Sequence, residues 1–251
     1  MRNILSTPDR AVRSDGTPEY GVFRSPFRQV NLEDARYSRI LGRSRLKEWH
    51  HIALIHPDVY VSLAVVDLKY VTASWVFVHD RRSGLSFEHA RKLPGRRLKL
   101  PAELWDARWT LEGGRGYRIE GHNHLNRGLH ELRIDIRRDR GRADVQGRLT
   151  LREDLDRVHP LVAVLPLGTN RPVYTHKVPC PLEGTLTIGA QSYTFSPERD
   201  LALVDIHKAY YPRKTFWRWA TFAAVGTDGA IRGVNLTHNV IQSDDRFNEN
   251  A

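Results

Sequence analysis

The sequence predicts an all-β, antiparallel protein, on three observations. Short runs of Val, Ile, Tyr, Trp and Phe recur along the chain, glycine-bearing turns separate them, and almost no segment carries a helical period. Many short strands joined in this way build a barrel or a sandwich rather than an alternating α/β sheet. The 251 residues are 40% hydrophobic, enough to fill one large core or two modest ones.

Residues 1 to 30 mix Arg, Pro, Ser and Gly without periodicity and read as a mobile or surface-draped arm. Asn31 reads as an N-cap, with Glu33 and Asp34 in a first turn and Gly42 as a stop, so one short helix is expected near 32 to 41. From there the period is two. Strands are expected at Glu48 to His56, Val59 to Leu68 and Tyr70 to His79. Glu112 to Gly116 joins Trp109-Thr110-Leu111 to Tyr117-Arg118-Ile119 as a hairpin, and Asp139 to Arg142 joins Leu129 to Ile136 with Ala143 to Leu151. In Leu132-Arg133-Ile134-Asp135-Ile136 the alternation is strict, so the three apolar residues face a core and the two charges face water. Further strands are expected at Leu161 to Leu165, Gly184 to Phe195, Leu201 to His207, Thr215 to Val225 and Ala230 to Thr237, the last pair turned by Asp228-Gly229.

Composition narrows the function classes. The net charge is +10, and such a surface attracts polyanions. Yet only seven of the 39 cations are lysines, and the arginines are scattered through the chain instead of gathered on one element. Nucleic acid is therefore not the expected partner, and a basic protein for nucleic acid or anionic lipid stands as an alternative only. One cysteine, Cys180, gives no internal disulfide. The N-terminus has no signal-like apolar stretch, and the longest apolar run, Val59 to Val66, contains Ser62 and ends at Asp67. The expectation is a cytoplasmic protein that spans no membrane. Gly-rich phosphate loops and the His-Glu-x-x-His zinc motif are absent, and no cofactor is expected.

Leu63-Ala64-Val65-Val66-Asp67-Leu68 is echoed by Leu201-Ala202-Leu203-Val204-Asp205-Ile206, 138 residues later, and in both places tyrosine, tryptophan and a glycine turn follow. Two copies of one β domain explain the echo, the first over 46 to 160 after an N-terminal arm of 1 to 45, the second over 161 to 251. The second copy is short, so it is expected to be incomplete at its C-terminus.

Arg45-Leu46-Lys47-Glu48-Trp49 leading to Val66-Asp67-Leu68-Lys69-Tyr70 carries a family resemblance, with Tyr174-Thr175-His176-Lys177, Pro212 to Ala220, Gly233-Val234-Asn235-Leu236 and Asn248-Glu249-Asn250-Ala251. In combination and in order, these segments resemble the bacterial family catalogued as domain of unknown function 2804, over residues 20 to 251. More remotely, an acidic strand followed by Pro and a Trp-x-Trp strand is similar to tandem lipocalin-like proteins of the carotenoid hydratase and tocopherol cyclase type. That resemblance implies two tandem lipocalin-like antiparallel barrels, a pocket for an apolar or isoprenoid-like molecule, and acid-catalysed hydration or cyclisation as the enzyme alternative.

On the strand Leu201 to His207, alternation puts Asp205 and His207 on one face, about 7 Å apart. Apolar neighbours disfavour the charged carboxyl, so Asp205 is the candidate general acid, against the plainer role of bonding backbone amides or pairing with Arg213. Trp217 and Trp219 share a face, as expected of a barrel lumen. Tyr210, Arg213, Lys177 and His207 complete the expected ligand wall, Lys177 at a proline-rich rim beside Pro172, Pro179 and Pro181. His122-Asn123-His124, with His130 after it, has the spacing for a strand-borne metal pair, but no cysteine or acid cluster adjoins it and no metal is expected. The sequence leaves the oligomeric state undefined.

Overall fold

The computed structural model describes residues 3–36, 43–95, 97–167, 171–212, 214–239 and 248–251. Within them the strands are β1 (Ile4–Leu5), β2 (Gly21–Phe23), β3 (Lys47–Ile55), β4 (Val59–Asp67), β5 (Val71–Asp80), β6 (Ser86–Pro94), β7 (Ala107–Glu112) and β8 (Tyr117–His124). They continue as β9 (Leu129–Ile136), β10 (Val145–Arg152), β11 (Leu161–Pro166), β12 (Pro172–Ile188), β13 (Gln191–Phe195), β14 (Leu201–Ala209), β15 (Trp217–Val225) and β16 (Ile231–Asn239). The chain is all-β, with helix limited among the described residues to short single turns. No described helix is long and apolar enough to cross a membrane.

One antiparallel path runs β6-β5-β4-β3-β14-β12-β10-β9-β8-β7, and β15–β16 forms a separate two-stranded sheet. Strands from the two expected barrels share this path, because β14 pairs with β3 over nine residues. Among the described strands the path stays open between β6 and β7, and it curls until its arms meet. Ser74 Oγ lies 2.8 Å from Tyr117 OH, and His89 Nε2 lies 2.7 Å from the Ala143 carbonyl.

Hydrophobic side chains fill the space inside the curl. Ile52, Leu54, Leu63, Val65, Val76 and Val78 come from one arm and Trp109, Leu111, Ile119, Leu132, Ile134 and Leu149 from the other, all buried. The lumen is thus a packed core. The alternate residues of β3, β4 and β14 point outward from the curl and are also largely covered, which is why these strands read as nearly continuous apolar runs.

The 17-residue β12 holds the two arms together. Its first part pairs with β11 as far as Lys177 and its last part with β10 from Leu182 onward. Pro179 and Pro181 fall between, where that edge has no strand partner and a missing amide donor is tolerated. At Gly184 the backbone φ is +127° and a Cβ would sit 2.2 Å from the Arg148 carbonyl oxygen, so the close approach of β12 to β10 requires glycine there.

Residues 3–36 are packed against the sheet instead of forming a mobile arm. Ala11, Val12, Phe27 and Val30 are fully buried, and β2 adds to the edge of β11. The lack of period in this segment reflects irregular backbone pinned to a core. Asn31 does not cap a helix: its side chain bonds the backbone N–H and carbonyl of Val12, and only one turn, Leu32–Asp34, follows. Residues 37 to 41 of the expected helix, and the expected stop Gly42, lie outside the described residues.

Candidate functional site

Two cross-strand rows on the outer face of the sheet form the floor of a cavity. Trp75, Ala64, His51, Asp205 and Lys177 stand directly opposite one another on β5, β4, β3, β14 and β12. Two residues along each strand, Ala73, Val66, Trp49, His207 and Thr175 form the adjacent row. Period-two geometry puts both rows on the same side. Over them lies the β15–β16 hairpin, in which Trp217 pairs with Asn239 and Trp219 with Thr237. The floor, the hairpin, Tyr211 and Glu249 enclose about 380 Å³.

The cavity has an aromatic wall and a polar end. Trp49 stacks on His207 at 4.1 Å between centroids with the planes 3° apart, and Tyr211 lies nearly parallel to both rings. At the polar end Lys177 Nζ is 2.9 Å from Asp205 Oδ1 and 5.1 Å from the Trp219 ring centroid. Trp49 Nε1 donates to Asp205 Oδ2 at 3.4 Å, and Tyr211 OH meets His207 Nε2 at 2.7 Å. Asn239 Nδ2 donates to Glu249 Oε2 at 2.8 Å, while Glu249 Oε1 faces His207 Nδ1 at 3.6 Å, and neither of those two atoms has a hydrogen-bond partner.

Glu249 is fixed by chain pairing. Asn235 and Ala251 exchange backbone hydrogen bonds of 2.8 and 2.9 Å, Asn250 Oδ1 accepts from the Thr237 N–H at 2.6 Å, and the Glu249 carbonyl accepts from Asn235 Nδ2. The segment thereby runs along β16 and turns Glu249 inward.

The two carboxyls are shifted in opposite directions. Burial pushes Glu249 above its ordinary range against the pull of the Lys177 ammonium, and the neighbouring Asp205 charge adds to the rise while hydrogen bonding opposes it. Burial works against the Asp205 charge as well, but the Lys177 ammonium holds that carboxyl below its ordinary range. Burial also lowers His207 to about 3 and raises Tyr211 well above 10, so both are neutral near pH 7. One carboxylate paired with one ammonium thus adjoins a neutral imidazole, a neutral phenol and a carboxyl biased to keep its proton.

The expected residues meet here with four corrections. Asp205, Lys177, His207, Trp217 and Trp219 line one cavity, but Asp205 is held ionised rather than protonated, because Lys177 comes from the neighbouring strand and not from a rim loop. Trp217 and Trp219 are 52% and 36% exposed, at the open side of a slot on the outer face of the sheet, since the lumen itself is filled. Tyr210 is fully buried in the main core; alternation gives the cavity position to Tyr211. Asp67, the echo of Asp205, pairs across from Glu48, on the other face of the sheet. Arg213 lies outside the described residues. Glu249, His51, Trp49 and Trp75 escaped the sequence reading. For the three on strands, the even spacing Trp49/His51 and Ala73/Trp75 was the available signal.

The main core holds its own buried polar group. Glu153 accepts from or pairs with His176 Nε2 at 2.9 Å and His130 Nε2 at 3.3 Å. Burial pushes this carboxyl up, but the two imidazoles prevail and hold it at about 2.

Residues 3–251 match the family described as Domain of unknown function (DUF2804). No curated protein matches the chain. Among solved structures, it is similar to an AttH-type protein of Nitrosomonas europaea, at 11% identity and a TM-score of 0.43, covering 78% of this chain and 68% of that one. It is also similar to kievitone hydratase from Nectria haematococca, at 11% identity and a TM-score of 0.44, covering 88% of this chain and 72% of that one.

Proposed function

The chain belongs to the family described as Domain of unknown function (DUF2804), whose description names no activity, and on that premise we propose that the cavity under β15–β16 binds one small apolar or amphipathic molecule of lipid or isoprenoid character. The observation that carries this reading is the union of an aromatic slot with a buried polar end in about 380 Å³. That volume lies within the roughly 300–1,000 Å³ of small-molecule sites, and a mostly apolar lining with a few convergent polar groups is their usual chemistry. Tryptophan faces supply apolar contact, and the unpartnered His207 Nδ1 and Glu249 Oε1 offer one polar group of the ligand a place to bond. This reading keeps the apolar ligand of the lipocalin-like expectation and moves it from a barrel lumen to the outer face of the curled sheet.

Calorimetric titration with geraniol, a small isoprenoid alcohol, tests the reading. The native protein should bind about one equivalent, and the W217A/W219A double variant, altered only on the exposed hairpin, should bind at least tenfold more weakly. Equal binding by both would contradict it.

A second reading, acid-catalysed hydration or cyclisation of an alkene, is favoured by the raised Glu249 carboxyl. In it Glu249 gives its proton to an alkene carbon, the aromatic faces of Trp49 and Trp217 stabilise the cation, and water or an internal nucleophile adds and returns a proton to the Glu249 carboxylate. Asp205, ionised against Lys177, then acts as a fixed charge. This reading requires Glu249 to be protonated near neutral pH, which is tested below.

A further inference from the structure

On the other arm of the sheet, a second group of ligating side chains gathers from three places in the sequence. His122 and His124 are two residues apart on β8 and so project from the same face. Asp106 immediately precedes β7, whose first residue, Ala107, pairs with Asn123, so the register carries Asp106 to the His124 end of β8. Glu131 on β9 stands directly opposite His122. The two imidazoles lie 3.4 Å apart between centroids, with a carboxylate at each edge of the pair.

The two edges are not alike. Asp106 Oδ1 is 2.6 Å from His122 Nε2 and 3.4 Å from His124 Nδ1, and one ligating atom from each of these three residues lies within 4.8 Å of the others. Ligands at about 2.0 Å around a tetrahedral zinc stand about 3.3 Å apart, so closing on an ion asks for small side-chain rotations only. Glu131 Oε2 is 3.5 Å from the remaining nitrogen of each ring, His122 Nδ1 and His124 Nε2. A carboxylate behind a ligating histidine fixes its tautomer and orientation. His122 is buried and its Nδ1 has no hydrogen-bond partner, whereas Asp106 is 66% exposed, so the front of the group is open to water.

We propose that Asp106, His122 and His124 bind a divalent transition-metal ion of the zinc or iron(II) class, with Glu131 as the orienting carboxylate behind the histidines. Two imidazoles and one carboxylate suit such ions, while magnesium and calcium demand more oxygen ligands. Three protein ligands leave at least one position to water, the pattern of reactive rather than purely structural sites. The ion also ties the residue ahead of β7 to the strand that pairs with it.

The test uses tag-free protein stripped with a chelator and titrated with cobalt(II), read by its visible absorption, and with zinc, read by calorimetry. One equivalent of each should bind. Asp106→Asn and His124→Gln should each weaken binding at least tenfold with an unchanged circular dichroism spectrum, and His79→Gln, altered at an exposed hairpin bond to Ser86, should leave it unchanged. Asp106 lies at the surface, so its variant keeps the test sound even if the histidine variant unfolds. Absence of stoichiometric binding, full affinity in D106N, or equally tight magnesium or calcium would overturn the proposal. None of these outcomes bears on the aromatic cavity.

Discussion

Asp205 and Glu249 share a cavity and a side-chain chemistry, yet their surroundings shift them in opposite directions. Asp205 has an ammonium at 2.9 Å and keeps its charge, while Glu249 has no cation at that distance and adjoins the Asp205 charge. Equilibrium urea unfolding at pH 7 separates the two. If Glu249 holds its proton as the acid-catalysis reading requires, Glu249→Gln replaces it by a neutral isostere, and stability should change by less than about 0.5 kcal/mol or rise. Asp205→Asn leaves Lys177 buried without its partner and should cost about 3 kcal/mol. Comparable losses in both variants would mean that Glu249 is ionised, and the acid-catalysis reading would fall with it.

At the scale of the element, strand identity was plain in the sequence and strand placement was not. Glu48 to His56, Val59 to Leu68 and Leu201 to His207 announce themselves by β-branched and aromatic content, and they emerge within a residue or two as β3, β4 and β14. Their neighbours in space depend on pairings more than 130 residues apart in the chain, such as His51 with Asp205, which no local pattern encodes. Prolines hid the first half of β12, because a missing donor usually rules out a central strand and here falls where one edge is unpaired. Ser86–Pro94 escaped notice because its exposed polar face dilutes the alternation. The Trp-x-Trp signal of β15 correctly marked a shared face, and only the hairpin's position outside the main sheet decided what that face covers. Glu249 was illegible for a different reason: it lies on a short terminal segment without periodicity, positioned by pairing to Asn235.

For the molecule as a whole, the buried ionisable groups set a pH response. Burial lowers His50 and His207 to about 3, so the native state keeps both neutral where the unfolded chain takes up protons below about 6.5. Their stability contribution is complete above that value and is lost as pH falls toward 3, at up to about 1.4 kcal/mol per pH unit for each. Glu153, held at about 2, adds a loss of the same sign below its unfolded value near 4.5. Glu249 acts oppositely, since a raised carboxyl favours the native state as pH drops through its folded value. Denaturant unfolding should therefore show a stability lower at pH 5 than at pH 7 by about 2 kcal/mol per histidine. Equal stability at both would mean that these imidazoles are charged or solvated in the native state.

If the slot between the sheet and the β15–β16 hairpin receives a ligand, the six tryptophans report it directly. Trp49, Trp75, Trp217 and Trp219 line the slot, whereas Trp105 and Trp109 lie elsewhere and serve as internal controls. In a nitrogen–proton correlation spectrum of the indole groups, added geraniol should shift the four cavity resonances in a saturable manner and leave the Trp105 and Trp109 signals in place. Six unmoved indoles, or movement confined to Trp105 and Trp109, would contradict the account.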